Sequence, residues 1–203
     1  NYGCGNGSCG MCKVRVISGD VAKTQHFDYP LSEAEKAQGY TLMCCHTAAS
    51  SELTLELLEA SDPRDIPEQL IATQVRAITP LAPDTVLLHL QTPRTHRLRF
   101  LAGQSVQLGW TQAGQADAST RYPLASCPCD ERNLLFFITR NAADSFAQRL
   151  FAGDIKPGAT VTVLGPSGDF VLAEGNRPLV FAACDAGFGP IKSLIEHALS
   201  LDA

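Results

Sequence analysis

Four cysteines constrain this chain more than any other residues. Cys4, Cys9 and Cys12 lie in the segment GCGNGSCGMC, and Cys44 follows 32 positions after the third. Glycine fills the gaps between the first three sulfurs, at Gly3, Gly5, Gly7 and Gly10. A loop of this composition carries little bulk to bury, and glycine's access to positive φ lets its backbone come close to whatever the sulfurs surround. Such a loop wraps around something small, and the fold must return a distant segment to it.

The C-x4-C-x2-C…C spacing is that of a plant-type [2Fe–2S] cluster. Two irons bridged by two sulfides take four terminal thiolates, and the wrapped loop supplies three. Backbone N–H groups aimed at the sulfurs, together with solvent exposure, set the potential at about −400 mV for this ligand set. The run Gly39-Tyr40-Thr41-Leu42-Met43-Cys44 resembles the G-aromatic-x-L-x-C segment of ferredoxins, which makes Cys44 the fourth ligand and leaves adjacent Cys45 as a rival. Zinc sites favour two separate C-x2–4-C pairs, and here only Cys9 and Cys12 make one. Disulfide frameworks serve scaffolds too small to bury a core, which 203 residues are not.

Hydrophobic content of 45% and charged content of 18% are those of a globular protein. A net charge of −5 argues against nucleic acid as a partner. No apolar run reaches the roughly 18 residues that span a membrane, so no membrane partner is expected and a cytoplasmic location is. The chain begins at Asn1, three residues before its first cysteine, and is read as a fragment lacking the start of its first domain; any targeting segment would lie upstream.

Lys13–Ile17 alternates like a strand, and Ser18-Gly19-Asp20 reads as a turn. Ser32-Glu33-Ala34-Glu35 fits the S-x-x-E capping box of a short helix ending near Gly39. Leu53–Leu57 alternates again, and the stretch from Ala60 to Pro67, rich in Asp and Pro, reads as a linker. Strand-like runs then recur at Ala72–Ile78, Thr85–Leu90, Ser105–Gly109, Asn133–Thr139 and Thr160–Leu164, interrupted by one helix at Ser145–Phe151. That spacing, broken by Pro and Gly, predicts an antiparallel barrel. Pro178–Ala183 is an unbroken apolar run, expected as a strand buried on both faces. A helix from Pro190 follows, with Ile191, Leu194, Ile195, Ala198 and Leu199 on one face.

This order of segments resembles the ferredoxin–NADP reductase superfamily, and more closely its members with an N-terminal ferredoxin domain: reductase components of aromatic-ring oxygenases and CDP-6-deoxy-glucoseen reductases. The implied architecture is multidomain α+β. An N-terminally truncated β-grasp ferredoxin occupies residues 1–60 and a linker 61–69. An antiparallel β-barrel flavin domain covers 70–174, and the start of a Rossmann-like α/β nucleotide-binding domain covers 175–203. Phe100–Gln104 matches the barrel's F-x-x-G-Q segment, and Gly165–Phe170 its G-P-x-G-x-F segment. Arg121-Tyr122-Pro123-Leu124-Ala125-Ser126 corresponds to the R-x-Y-S-x-x-S flavin motif, in which tyrosine packs on the isoalloxazine and arginine pairs with phosphate. Aligned on Tyr122, the arginine position holds Thr120, and Pro123 stands where a hydroxyl residue usually bonds flavin near N5.

The resemblance implies flavin contacts at Arg121, Tyr122, Pro123, Leu124, Ser126, Thr139 and Ser145. Ser145 sits at a helix start where free N–H groups could seat a pyrophosphate or where the serine could be a plain N-cap. The turn Cys184–Pro190 matches the family's G-G-T-G-I-A-P, with Gly187 and Gly189 kept for pyridine nucleotide and Cys184 and Asp185 in place of two glycines. Cys127, Cys129 and Cys184 read as structural thiols, and His197 as a surface residue. The cofactors implied are a [2Fe–2S] cluster on Cys4, Cys9, Cys12 and Cys44, FAD with FMN as the alternative, and NAD(P)H as donor. The function implied is electron transfer from NAD(P)H through flavin and cluster to an acceptor protein, an oxygenase or another iron–sulfur or haem component. The alternative is a truncated flavin and iron–sulfur carrier without its own NAD(P)H turnover. No acid–base dyad or nucleophile is required, and none is evident.

Overall fold

Period-two alternation of apolar and polar residues becomes strand structure almost throughout. The computed structural model describes residues 5–8, 10, 12–57, 62–93, 96–111, 117–130, 132–172 and 178–200. The chain divides into two units, Asn1–Ala60 with Arg94–His96, and Ser61–Pro93 with Arg97–Ala203.

The first unit contains β1 (Lys13–Ser18), β2 (Val21–Lys23), α1 (Glu33–Ala37), β3 (Tyr40–Leu42), β4 (His46–Ala48) and β5 (Thr54–Leu57). β1 is central in an antiparallel sheet of order β3-β1-β5, and β2 pairs with β4. α1 has the full capping box: Glu35 N–H donates to Ser32 Oγ (3.2 Å), and Ser32 N–H donates to Glu35 Oε2 (2.8 Å). Two N-terminal donors are thereby satisfied within a helix of five residues that buries none of its own. Lys13 Nζ meets Glu35 Oε1 at 2.8 Å and ties α1 to β1. Leu31, Leu42 and Cys45 form the small core.

The second unit contains β6 (Gln69–Ala82), β7 (Thr85–Gln91), β8 (Ser105–Trp110), β9 (Ala118–Pro123), β10 (Asn133–Thr139), α2 (Ser145–Ala152), β11 (Thr160–Ser167) and α3 (Phe188–Ser200). The six strands form one antiparallel sheet of order β10-β7-β6-β11-β8-β9. The barrel expected from the sequence is thus a curled half-barrel. Among the described residues its edge strands share no ladder; beyond the end of β9, Ala125 N–H donates to Leu135 O at 2.8 Å. Alternate residues turn inward, among them Leu88 and Leu90 of β7, Val106 and Leu108 of β8, Phe136 of β10 and Val163 of β11, and Phe146 of α2 packs among them.

The F-x-x-G-Q and G-P-x-G-x-F segments interlock. Buried Gln104 accepts from Leu101 N–H (2.8 Å) through Oε1 and donates through Nε2 to Gly168 O (3.1 Å). Gly103 has φ +91°, and a Cβ there would overlap the carbonyl oxygen of Phe170. The expected strand over Pro178–Ala183 is not one: these residues carry no strand structure, and Val180 is 93% exposed. A strand buried on both faces needs neighbouring strands to take its N–H and C=O groups, and among the described residues no strand pairs with this run. α3 begins at Phe188, so Pro190 falls within its first turn, where its missing N–H costs nothing. Ile191, Leu194 and Ala198 are buried as expected, Ile195 is partly buried, and Leu199 is exposed.

Candidate functional site

The sulfur site is built from the loop before β1 and the turn after β3. Cys12 and Cys44 converge, with Sγ to Sγ at 3.1 Å, and Cys44 N–H points at Cys12 Sγ (3.4 Å). Met43 N–H donates to Cys12 O at 3.0 Å, which locks the distant turn onto the loop. Cys4 and Cys9 lie outside the described residues. Cys45, the rival ligand, is fully buried in the small core; its Sγ is 3.6 Å from Cys44 Sγ. Among the described residues no three of His, Cys, Asp and Glu group as a metal site, so Cys12 and Cys44 form a two-sulfur half. The loop must wrap closely: Gly7 has φ +74°, and a Cβ there would strike Phe27 and come within 2.6 Å of Cys45 Sγ. Burial first, then the hydrogen-bonded thiols Cys12 and Cys45, push the Cys44 thiol up to about 12. Sulfurs packed without a counter-charge resist ionising, and a bound cation reverses that. This donor set fits an iron–sulfur cluster.

Gln25 was not legible as a site residue. Its Nε2 donates to Gly5 O (3.0 Å) and Cys44 O (2.8 Å), which clasps the loop to the ligand turn.

The expected flavin residues cluster around β9, the segment after it and α2. β9 alternates, so Ala118, Thr120 and Tyr122 share the inner face, while Arg121 lies on the other face and is exposed. Arg121 therefore does not join Tyr122. Tyr122 is 7% exposed and packs edge-on against Phe146, with ring centroids 5.8 Å apart. Its hydroxyl donates to Asp144 Oδ2, and Thr120 Oγ1 donates to Asp144 Oδ1 at 2.8 Å. Burial, then the Asp144 hydrogen bond, raises the Tyr122 phenol well above its ordinary range. Asp144, not Ser145, is the N-cap of α2, accepting from Ala147 N–H at 2.9 Å. Aspartate is as good a cap as serine, and here it holds the position one residue earlier. Ser145 Oγ instead accepts from Ser119 N–H at 3.2 Å. The α2 terminus, expected as a phosphate seat, is capped by a carboxylate that takes the Ala147 N–H and two side-chain hydroxyls, an arrangement that disfavours a flavin phosphate beside it.

Leu124 is fully buried, and Ser126 Oγ accepts from Leu135 N–H at 3.3 Å. Thr139 ends β10 with its hydroxyl 3.4 Å from that of Thr85. Pro123, Ala125 and Phe137 lie under the start of α3: a Cβ on Gly189 would make ordinary contact with all three. Lys192 Nζ donates to Ala125 O (3.1 Å) and Ser193 Oγ to Ser126 O (2.6 Å), so α3 grips the segment after β9 by its backbone. Gly187 closes the turn before α3, its N–H donating to Cys184 O at 2.9 Å. Asp185 takes a positive φ of 49°, the conformation that glycine would adopt freely.

Two readings of spare residues are corrected. Cys127 and Cys129 are not free thiols but a disulfide. Their Cα atoms are 5.1 Å apart, within bonding range. His197 is half-buried, its Nδ1 without a hydrogen-bond partner among the described residues, and burial lowers its ring below the ordinary histidine range.

Fold and site define a class: a cysteine-loop iron–sulfur unit joined in one chain to an antiparallel half-barrel. Residues 1–49 match the 2Fe-2S iron-sulfur cluster binding domain. The chain is 30% identical over 199 residues to a CDP-6-deoxy-L-threo-D-glycero-4-hexulose-3-dehydrase reductase of Yersinia pestis, covering 98% of this chain and 58% of that one. It is also 30% identical to the reductase component of a propane 2-monooxygenase of Mycolicibacterium smegmatis, over 97% of this chain and 56% of the relative. The structure of a cytochrome P450 reductase of Amycolatopsis superposes with a TM-score of 0.59 at 24% identity, covering 98% of this chain and 59% of that one, a likeness of fold. The first 49 residues thus match the 2Fe-2S iron-sulfur cluster binding domain, and over nearly all of its length the chain is similar to proteins named as reductases. It spans somewhat over half the length of the curated relatives it matches.

Proposed function

We propose that this chain belongs to an NAD(P)H-dependent electron-transfer reductase that passes electrons through flavin and a [2Fe–2S] cluster to an acceptor protein. The observation that carries the reading is the convergence of Cys12 and Cys44 across 32 residues, in one chain with the half-barrel. When bound, flavin accepts electrons in pairs and the cluster carries them singly. The chain's own residues hold and position: Cys4, Cys9, Cys12 and Cys44 as thiolates, Gly7 by close approach, and Gln25 by clasping loop to turn. The segment Pro123–Ser126, held from α3 by Lys192 and Ser193, gives the flavin ring a rigid floor. FAD is the preferred flavin. The division into ferredoxin (1–60), linker (61–69), flavin (70–174) and nucleotide (175–203) parts, β-grasp first and Rossmann-like last, belongs to this proposal. So does a cytoplasmic location; no helix among the described residues is long and apolar enough to cross a membrane. Relatives named as reductase components of monooxygenases point to an oxygenase as acceptor.

The run Pro178–Ala183, mostly exposed and without strand structure, and Asp185 with its positive φ favour a second reading: a flavin and iron–sulfur carrier that does not itself turn over NAD(P)H. Anaerobic mixing of the flavin- and cluster-loaded chain with NADH, and separately with NADPH, decides between them. Bleaching of flavin and cluster absorbance is expected from the first reading. Bound flavin that stays oxidised with both nucleotides contradicts it and supports the second.

A further inference from the structure

Nothing in the family resemblance accounts for Asp144, and the structure gives it a central place. A helix N-terminus attracts one anion, because its first N–H groups are unpaired and its dipole is positive there. At α2 that anion is internal. Asp144 Oδ1 accepts from Ala147 N–H (2.9 Å) and from Thr120 Oγ1 (2.8 Å), and Oδ2 accepts from the Tyr122 hydroxyl. Three donors from two elements converge on one carboxylate. Among the described residues, the cation beside Ala118 and Ser145 is Arg149, which is already paired with Asp154 at 3.3 Å. Thr120 stands at the arginine position and is itself committed to Asp144, while Arg121 lies on the opposite face of β9. Ser145, the other expected phosphate contact, is engaged with Ser119. A phosphate brought here would lose the donors that Asp144 already holds and would face its negative charge.

We propose that Asp144 stands in for a phosphate at the α2 terminus, so that this chain holds flavin by its ring system and draws no affinity from the flavin phosphate. The inference rests on the flavin reading above and makes Asp144 the residue that sets the ratio of FMN to riboflavin affinity. It also assigns Tyr122 a structural duty, holding Asp144 from within the core beside Phe146.

The test is a fluorescence-quench titration of the full 203-residue chain with riboflavin and with FMN, for wild type, Asp144→Ser and Asp144→Asn. Both substitutions keep an acceptor for the Ala147 N–H and so keep the cap; thermal melts verify folding. Wild type is expected to bind riboflavin and FMN within about threefold of each other. Asp144→Ser should tighten FMN by about tenfold or more, which is about 1.4 kcal/mol, while riboflavin stays within about twofold; Asp144→Asn should shift in the same direction. A wild-type chain that already prefers FMN by tenfold, or variants that leave the FMN-to-riboflavin ratio unchanged, would overturn the proposal while leaving flavin binding intact. Folded wild type and variants that bind neither flavin would instead overturn the flavin reading itself, and this inference with it.

Discussion

Gly103 and Gly153 share nearly the same backbone conformation, φ +91° and +79°, and differ in what surrounds them. A Cβ at Gly153 meets nothing within 4 Å, whereas one at Gly103 runs into backbone at Phe170 and lies 3.4 Å from Leu194. Gly153→Ala is therefore expected to cost about 1 kcal/mol, the penalty of positive φ alone. Gly103→Ala should cost about 3 kcal/mol or more, because a backbone oxygen cannot yield as a side-chain tip can. Urea denaturation of the two variants checks this, and equal losses would show that φ alone governs Gly103. The sequence marks Gly103 as part of a motif and says nothing of Phe170, since a contact across 67 residues has no local signature. The candidate cysteine ligands are the opposite case. Their chemistry demands a residue type at a spacing, so Cys12 and Cys44 were legible before any fold was known. Gln25 acts only through where its amide lands, and Asp144 has a rival in Ser145 beside it, which fits the same capping rule.

Among the elements, α1 shows what local sequence can specify completely. Its S-x-x-E box is present with both reciprocal bonds, and Glu35 also meets Lys13. The Lys13 ammonium, then the Ser32 N–H, holds the Glu35 carboxyl down at about 2, below its ordinary 4.5. A depressed carboxylate contributes stability that is present above pH 4.5 and is lost as pH falls through 2. Glu35→Gln keeps an N3 side chain able to cap and removes the charge. It is expected to destabilise the chain by less than about 1 kcal/mol at pH 7, since the pair is partly exposed, and that difference should vanish by pH 2. Denaturation series across pH read it directly, and a difference constant from pH 7 to 2 would count against the ion pair. Pro178–Ala183 shows the converse. An apolar run states only that it can be buried, while becoming a strand depends on partners that periodicity cannot supply. The half-barrel lies between these cases: strand periods were plain in β6 to β11, but the gap between β9 and β10 is a matter of curvature, which alternation does not encode.

At the scale of the molecule, each unit has its own core. The first collects sulfurs around a glycine loop. The second is a half-barrel whose outer segment is gripped by α3. The proposed electron transfer requires the first unit to hold a cluster on the thiolates proposed for it, with Cys44 and not Cys45 as the distant ligand. The most direct test is iron content and visible absorption after anaerobic reconstitution of wild type, Cys44→Ser and Cys45→Ser. Wild type and Cys45→Ser should each carry about two irons per chain with cluster absorption, and Cys44→Ser should lose both. A Cys44→Ser chain that keeps its cluster while Cys45→Ser loses it would contradict the ligand set on which the whole account is built.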